Sequence, residues 1–206
     1  MQTIEVKTRY TPAEYLALEE QAEFRSEYLD GEIIPMAGGS FNHNRIVNRV
    51  CAYLLNVLRG KSYEPFSSDV RVWIPKYRKF TYPDVMVVPD PPIPYENRTD
   101  TLTNPRLIIE VLSKSTEDYD QGNKFKFYRA IPELKEYLLI DQYALEVQHY
   151  VKSDDGFWLY RAYESLDDVI TLTSIDTEIT VARIYEGVAF SPDPLLPHDG
   201  EIEVQA

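Results

Sequence analysis

At residues 106–116 the chain reads Arg-Leu-Ile-Ile-Glu-Val-Leu-Ser-Lys-Ser-Thr, an apolar run with a carboxylate at Glu110 in its middle. Such a run, from Arg106 to Ser113, is typical of a strand buried on both faces. A carboxylate in water-poor surroundings must take up a proton or meet a cation. Glu110 is therefore a candidate site residue on the strand pattern alone.

A second apolar strand with a carboxylate lies upstream. In Thr81-Tyr-Pro-Asp-Val-Met-Val-Val88, Asp84 opens a strand predicted from Tyr82 to Val88. If the two strands lie side by side, they place Asp84 and Glu110 at one end of a sheet. Hard divalent cations take such oxygen ligands, so the pair predicts a metal site.

A helix is predicted from about Asp118 to Ala130, with Ser115-Thr-Glu-Asp118 as its capping box. Helical spacing places Lys124 on the apolar face of this helix and Lys126 on the opposite face. We therefore expect Lys124 to point inward and Lys126 to point to water.

The N-terminal region predicts a helix and a hairpin. Thr11-Pro-Ala-Glu14 is typical of a helix start, and the helix should run to about Glu20. Asp30-Gly31 indicates a hairpin turn between Phe24 and Met36, because both of its flanks are apolar. Glu27 lies on the first strand of this hairpin and supplies a third carboxylate.

A longer amphipathic helix is predicted from about His43 to Arg59, after a small-residue loop and before Gly60. His43 lies on its apolar face, where a histidine is more often a core or capping residue than a ligand, so we place it only near the site. Arg45 and Arg49 are one turn apart on this helix.

Other strands are expected at Ser67–Ile74, Glu136–Asp141, Leu145–Val151 and Phe157–Tyr163, the last two forming a hairpin. The five prolines from Pro89 to Pro105 indicate an ordered surface loop. Residues 1–190 are expected to form one domain, and the acidic, proline-containing tail at 191–206 is expected to be disordered.

Composition limits the function classes. No apolar run approaches the ~20 residues of a membrane span, and Cys51 cannot form an internal disulfide, so a cytoplasmic location is expected. The net charge of -13 argues against a nucleic-acid binder. The charge is uneven, however: from Asp154 onward twelve acidic residues face two arginines, whereas the run Arg71 to Lys79 carries bases and no acids.

Three carboxylates and an inward lysine fit metal-assisted hydrolysis of a phosphodiester. Asp84 and Glu110 would hold Mg²⁺, with Glu27 in support, and Lys124 would orient a water or stabilise the transition state. The plain alternative is an internal ion pair of Lys124 with Glu110 or Asp84. Spacing alone does not separate these two interpretations.

Five short motifs in order resemble the Uma-two (Uma2) family of proposed restriction endonucleases, within the PD-(D/E)XK nuclease superfamily. The resemblance runs from about Tyr10 to Val188. The motifs are Glu-Tyr-Leu-Asp-Gly-Glu (27–32), Tyr-Pro-Asp-Val (82–85), Glu-Val-Leu-Ser (110–113), Gly-Asn-Lys-Phe-Lys-Phe-Tyr (122–128) and Glu-Tyr-Leu-Leu-Ile-Asp (136–141).

The resemblance implies an α+β or α/β fold with a restriction-endonuclease-like core, in which helices flank a mixed central sheet. The N-terminal helix and hairpin and the C-terminal β-hairpins are additions to that core. It also implies metal ligation by Asp84 and Glu110, support by Glu27, and a catalytic lysine. The lysine expected two residues after Glu110 is Leu112, and the family supplies it from the next helix, which matches Lys124.

The implied activity is a Mg²⁺-dependent DNA endonuclease, with Mn²⁺ as a substitute metal and His43, Arg45 and Arg49 as supporting residues. Cleavage of both strands favours a homodimer, for which the strands Leu145–Val151 and Phe157–Tyr163 are candidate edges. Two alternatives remain open. One is a non-catalytic interaction protein that keeps the fold, and the other is an RNA nuclease.

Overall fold

The computed structural model describes residues 9–112 and 124–190, and the strands within them form three sheets. The largest is a mixed central sheet. Its strands, in spatial order, are β3 (Tyr63–Ser67), β6 (Val85–Pro89), β8 (Leu107–Leu112), β9 (Glu136–Asp141), β10 (Val147–Lys152) and β11 (Trp158–Tyr163). Within this sheet, only the β8–β9 pair is parallel. All six residues of β8 are buried, as expected for a central strand.

Helices cover the first face of the central sheet. The long helix α2 (Phe41–Val57) packs on β3, β6 and β8 through Ile46, Val50 and Leu54. Beside it lie the short helix α4 (Val181–Ile184) and a small hairpin of β12 (Val169–Leu172) and β13 (Thr177–Thr180). The side chain of Ser40 caps α2, which begins two residues earlier than predicted.

A second sheet covers the other face of the central sheet. Its strands, in spatial order, are β2 (Glu32–Pro35), β1 (Ser26–Leu29), β5 (Lys79–Thr81), β4 (Arg71–Ile74) and β7 (Thr101–Leu102). Val72 and Ile74 of β4 share a core cluster with Met86 and Ile108 of the central sheet, and the short helix α3 (Phe125–Tyr128) joins the same cluster. The two sheets therefore enclose one apolar layer.

The first helix, α1 (Pro12–Glu19), closes the outer face of this second sheet. Thr11 and Glu14 form the predicted capping box. Tyr15 is fully buried and stacks on Tyr28 and Phe80 at ring distances of 5.2 and 5.5 Å. Aromatic stacking thus holds α1 on the second sheet.

Strand alternation fixes what the second sheet presents to the central sheet. Tyr28 and Phe80 point outward to α1, so their neighbours in sequence point inward. These neighbours are Glu27, Lys79 and Thr81, all of them buried. Polar and charged side chains are thereby placed in the layer between the two sheets.

The predicted fold class is confirmed, but two strand predictions were wrong. The strand expected from Ser67 to Ile74 is broken at Ser68, whose φ of 53° is left-handed, so β3 and β4 lie in different sheets. The strand expected from Tyr82 to Val88 begins only at Val85. Pro83 has no N–H to donate to a neighbouring strand, so strand pairing stops between β5 and β6. Asp84 lies just before β6.

The C-terminal region differs from expectation in one respect. β10 pairs with β9 and β11, so it is interior, and of the two candidate edge strands only β11 lies at the sheet edge. The sequence predicted none of the elements between residues 164 and 190. The capping box at 115–118, the first six residues of the predicted helix (118–123) and the tail at 191–206 lie outside the described residues. A single domain over 1–190 stays a prediction.

Replacing Tyr15 by alanine should lower the free energy of unfolding by about 3–5 kcal/mol, because a fully buried ring and its hydrogen bond to the Ser26 carbonyl are both lost. Leu18, on the same helix but 49% exposed, is the matched control, and Leu18→Ala should change stability by less than about 0.5 kcal/mol. Urea denaturation measures both. Equal effects would show that α1 is not docked by Tyr15.

Candidate active site

Asp84 and Glu110 lie at the same end of two neighbouring strands. β6 and β8 pair antiparallel with Val85 opposite Ile109, which brings the next position on each strand, Asp84 and Glu110, together. Glu110 lies two residues beyond Ile108 and so faces the layer between the two sheets. The side-by-side arrangement predicted for the two carboxylates is present.

Asp84 is held from two sides. Its Oδ2 accepts a hydrogen bond from the Val111 N–H at 2.8 Å and lies 3.1 Å from Nε2 of His43, on α2. Burial would raise the pKa of Asp84, but His43, the ammonium of Lys124 and the Val111 N–H outweigh burial and hold that pKa below its usual range. The carboxyl is therefore ionised. Within the described part of the chain, both hydrogen bonds of Asp84 end on Oδ2, so Oδ1 can accept a cation.

Glu110 is 1% exposed, and two side chains of the described residues donate to it. Lys124 Nζ lies 3.3 Å from Oε2, and the Tyr128 hydroxyl donates to Oε1 at 2.6 Å. Burial, and then the charges of Glu110 and Glu27, hold the pKa of Tyr128 well above its usual range, so the phenol stays protonated. Tyr128 is thus a fixed donor that orients the carboxylate of Glu110.

The two lysines before and within α3 point in opposite directions. Lys124 is 9% exposed and lies against Glu110, whereas Lys126 is exposed, which confirms the predicted helix phase. Leu112, where the superfamily has its lysine, is buried in the apolar layer. Lys124 pairs with Glu110, and its charge also acts on Asp84.

Glu27 meets a second lysine that the sequence analysis did not single out. Lys79 Nζ lies 2.5 Å from Oε2 of Glu27, and the hydroxyl of Thr81 donates to Oε1. Lys79 is fully buried, with its ammonium 5.4 Å from the centre of the Phe127 ring. The cation and the carboxylate both come from the second sheet.

Burial and charge act against each other in this pair. Burial would raise the pKa of Glu27, but Lys79, Lys124 and the hydrogen bonds of Lys79 and Thr81 hold it below its usual range. Burial lowers the pKa of Lys79, and the charges of Glu27 and Glu110 oppose that change. The four charged groups of Glu27, Lys79, Glu110 and Lys124 therefore form one interacting set between the sheets.

The three carboxylates do not converge as predicted. Among residues 9–112 and 124–190, no three Asp, Glu, His or Cys side chains are close enough to hold one metal ion. Glu27 is occupied by Lys79 and Thr81, so the site separates into the pair Asp84 and Glu110 and the pair Glu27 and Lys79. Lys124 acts on both pairs.

His43 lies in the first turn of α2 and contacts Asp84, so the structure places it at the site. A side chain at Gly39 would bring its Cβ within 2.7 Å of Nδ1 of His43, which explains the glycine at this position. The small-residue loop before α2 is therefore packed against the histidine ring.

The predicted basic residues are dispersed. Arg45 is exposed and bonds only its helix neighbour Asn42 among the described residues, whereas Arg49 pairs with Glu186 at 2.8 Å. The run Arg71 to Lys79 does not form one basic face, because its first and last residues are both buried. Arg71 pairs with Asp100.

The sequence offered only a weak signal for the missed residues. In Lys79-Phe80-Thr81 polar residues alternate with an aromatic residue, which in a strand places Lys79 and Thr81 on one face. The partner, Glu27, is 52 residues away, and only the pairing of β1 with β5 joins them. Tyr128 could have been found from its position one helical turn after Lys124.

Comparison with known proteins supports the same family. A family profile described as "Uma2: Putative restriction endonuclease" matches residues 12–182. Two proteins of Synechocystis sp. are similar: "Uncharacterized protein sll1609" is 49% identical over 149 residues, 72% of this chain and 84% of that protein. "Uncharacterized protein slr1290" is 41% identical over 182 residues, 88% of this chain and 94% of that protein.

A solved structure from Anabaena variabilis, described as "a putative nuclease belonging to DUF820", matches with a TM-score of 0.73 and 20% identity. The match covers 87% of this chain and 99% of that one. The two proteins therefore share a fold. Within the described residues, no helix is both long and apolar enough to cross a membrane.

Replacing Lys79 by methionine should lower the free energy of unfolding by about 3–5 kcal/mol, because Glu27 is left buried without its closest cation. The double variant Glu27→Gln/Lys79→Met should recover most of this loss, since both charges are then removed. Thermal and urea unfolding of the single and double variants measure the difference.

The control is Lys76→Met, because Lys76 is exposed at the turn before β5, and its stability should change by less than about 0.5 kcal/mol. A Lys79→Met protein as stable as this control would mean that the buried pair is not needed to offset the charge of Glu27.

Proposed function

Because the chain belongs to the Uma2 family, described as "Putative restriction endonuclease", we propose that it is a Mg²⁺-dependent endonuclease that hydrolyses phosphodiester bonds in DNA. The observation that carries the proposal is the placement of Asp84 and Glu110 on adjacent strand ends with Lys124 buried against them. Burying charged side chains in an apolar core is unfavourable unless they are tightly paired, and such groups are common at functional sites.

The donor set fits Mg²⁺. Asp84 is held ionised and keeps Oδ1 for a cation, and Glu110 is oriented by Tyr128. Mg²⁺ is commonly bound through one or two carboxylates, with waters and substrate phosphate oxygens completing its ligands. A site with two carboxylates is therefore sufficient, although no third carboxylate converges on it within the described residues.

Asp84, Glu110 and Lys124 have separate parts in the proposed reaction. Asp84 and Glu110 would hold the metal, which when bound would supply Lewis-acid activation of a water and offset charge on the phosphate. The water oxygen would attack phosphorus and lose a proton to solvent, and the bond from phosphorus to the leaving oxygen would break as that oxygen takes up a proton from solvent. Lys124 orients that water or stabilises the negative charge that grows on the phosphate.

Glu27 and Lys79 support the reaction from the second sheet. The charges of Glu27 and Lys124 attract each other, so Glu27 contributes to the electrostatic surroundings of Lys124. Lys79 offsets the remaining charge of Glu27. The pair therefore keeps a carboxylate near Lys124 without providing another metal ligand.

DNA is the proposed substrate, and the exposed side chain of Arg45 supports a phosphate contact near the site. It lies two residues after His43, which touches Asp84. Cleavage of both strands is most simply done by a twofold dimer, and β11, with Leu159 and Tyr160 exposed, is the edge we propose for it. A DNA substrate is also consistent with the expected cytoplasmic location.

A non-catalytic interaction protein is the second candidate. One observation favours it, because Lys124 and Lys79 already pair with Glu110 and Glu27 inside the protein. In that case the charged group would be a structural ion-pair network. Cleavage assays separate the two candidates. An RNA substrate assayed in parallel tests whether the protein is instead an RNA nuclease.

Incubation with supercoiled plasmid should convert the DNA to open-circular or linear form with Mg²⁺ or Mn²⁺ and leave it intact with EDTA. Linear product at low conversion would indicate a dimer, and open-circular product a monomer that nicks. Asp84→Asn and Glu110→Gln should each lose cleavage by at least a hundredfold, a loss typical of removing a transition-state stabiliser.

Lys124→Met should also lose cleavage but keep Mn²⁺ binding in isothermal titration, because the lysine is not a metal ligand. Lys126→Met is the matched control and should cleave normally, since Lys126 points to water. No cleavage of DNA or RNA by the wild type with either metal would favour the interaction protein.

Binding of duplex DNA should weaken steeply with salt, and Arg45→Gln should reduce the log-log slope by about 0.9 if Arg45 contacts one phosphate. Arg49→Gln should reduce it less, because Glu186 already offsets the charge of Arg49. Arg59→Gln, just beyond the opposite end of α2, is the control. Fluorescence anisotropy in EDTA measures these slopes, and an unchanged slope for Arg45→Gln would place DNA elsewhere.

A further inference from the structure

Gln142 is a buried amide directly after β9 that no motif of the sequence drew attention to. It is 1% exposed. Its Nε2 donates to the carbonyl of Leu112, the last residue of β8, at 2.5 Å, and its Oε1 accepts from the hydroxyl of Ser40. Gln142 therefore ties the end of β8 to the loop before α2.

These bonds belong to a closed circuit through Asp84. Ser40 caps α2 by accepting from the His43 N–H at 3.1 Å, and Nε2 of His43 lies 3.1 Å from Oδ2 of Asp84. The same Oδ2 accepts from the N–H of Val111, the residue before Leu112, at 2.8 Å. The bonds therefore form a closed path. It runs from Gln142 through Ser40 and His43 to Asp84, and returns to Gln142 through the end of β8.

The polarity of every group in the circuit is fixed. The Leu112 carbonyl can only accept, so the amide nitrogen of Gln142 must face it and the amide oxygen must face Ser40. Ser40 must then donate its hydroxyl proton and use a lone pair to accept the His43 N–H. Oδ2 of Asp84 accepts the Val111 N–H and faces Nε2 of His43 at 3.1 Å, so a proton on Nε2 of His43 completes the circuit.

We propose that Gln142 is a positioning residue that fixes the Asp84 carboxylate beside Glu110. It acts on Asp84 through Ser40 and His43 on one side and through the end of β8 on the other. Outer partners of this kind orient metal-binding carboxylates, and their loss typically weakens metal binding 10–100-fold. The inference rests on the proposed function for its metal, but the circuit itself is made by residues of the chain alone.

Ser40 allows the circuit to be broken without loss of the helix cap. Aspartate is as good an N-cap as serine, so Ser40→Asp keeps α2 capped, but an ionised carboxylate cannot donate to Oε1 of Gln142. Ser40→Thr keeps the hydroxyl and serves as the conservative rescue. Gln142→Leu removes both bonds of the amide with a side chain of similar size.

The first readout needs no metal. The chain has three histidines, so a long-range ¹H–¹⁵N spectrum at constant pH resolves few ring signals, and His43→Gln assigns those of His43. Ser40→Asp and Gln142→Leu should shift the ring nitrogen signals of His43, whereas Ser40→Thr should not. The signals of His149, buried beside Glu136, are the internal control.

The second readout is Mn²⁺ affinity by isothermal titration. Ser40→Asp and Gln142→Leu should bind Mn²⁺ about tenfold more weakly than wild type, and Ser40→Thr should bind like wild type. The added negative charge of Ser40→Asp would by itself attract the cation, so a weaker affinity cannot come from that charge.

The inference is overturned if Ser40→Asp melts like wild type and leaves both the His43 signals and the Mn²⁺ affinity unchanged. If the wild type itself binds no Mn²⁺, the metal site of the proposed function fails. The His43 signals then decide the circuit alone, so the two failures are distinguished. A fall in melting temperature with unmoved His43 signals would make Gln142 a purely structural residue.

Discussion

The arrangement of this protein depends on how charge is balanced in the layer between its two larger sheets. An unpaired carboxylate or ammonium in such a layer is costly, and removing one partner of a buried pair typically costs several kcal/mol. Here Glu110 from the central sheet meets Lys124, and Glu27 from the second sheet meets Lys79. Each cation also acts on the carboxylate of the other pair. Any arrangement that separates these four charges while they stay buried should therefore be much less stable.

The same charges explain why the second sheet contributes to the candidate site as well as to the fold. Its outward face is an aromatic surface for α1, which leaves the inward positions to Glu27, Lys79 and Thr81. The central sheet contributes the two carboxylates that the proposed reaction needs, and the second sheet sets the electrostatic surroundings of Lys124. The same few side chains would therefore serve both the proposed chemistry and the packing between the layers.

Local patterns were enough to predict much of this. The apolar run around Glu110 and the helical phase of Lys124 were correctly inferred, because both depend on residues within one or two turns. Lys79 was missed because its burial is decided by the pairing of β5 with β1, far away in sequence. Gln142 was missed for the same reason, since its partners lie before α2 and at the end of β8. The break at Ser68 depends on a backbone angle that a serine seldom adopts.

The ion pair between Glu27 and Lys79 has a consequence for how such proteins can diverge. Neither residue can be exchanged alone for an apolar one without leaving its partner charged and dehydrated. Substitution should therefore pass through both positions together, or through a neutral hydrogen-bonding intermediate such as Gln in place of Glu27. In related proteins, Glu27 and Lys79 are therefore expected to be kept together or replaced together.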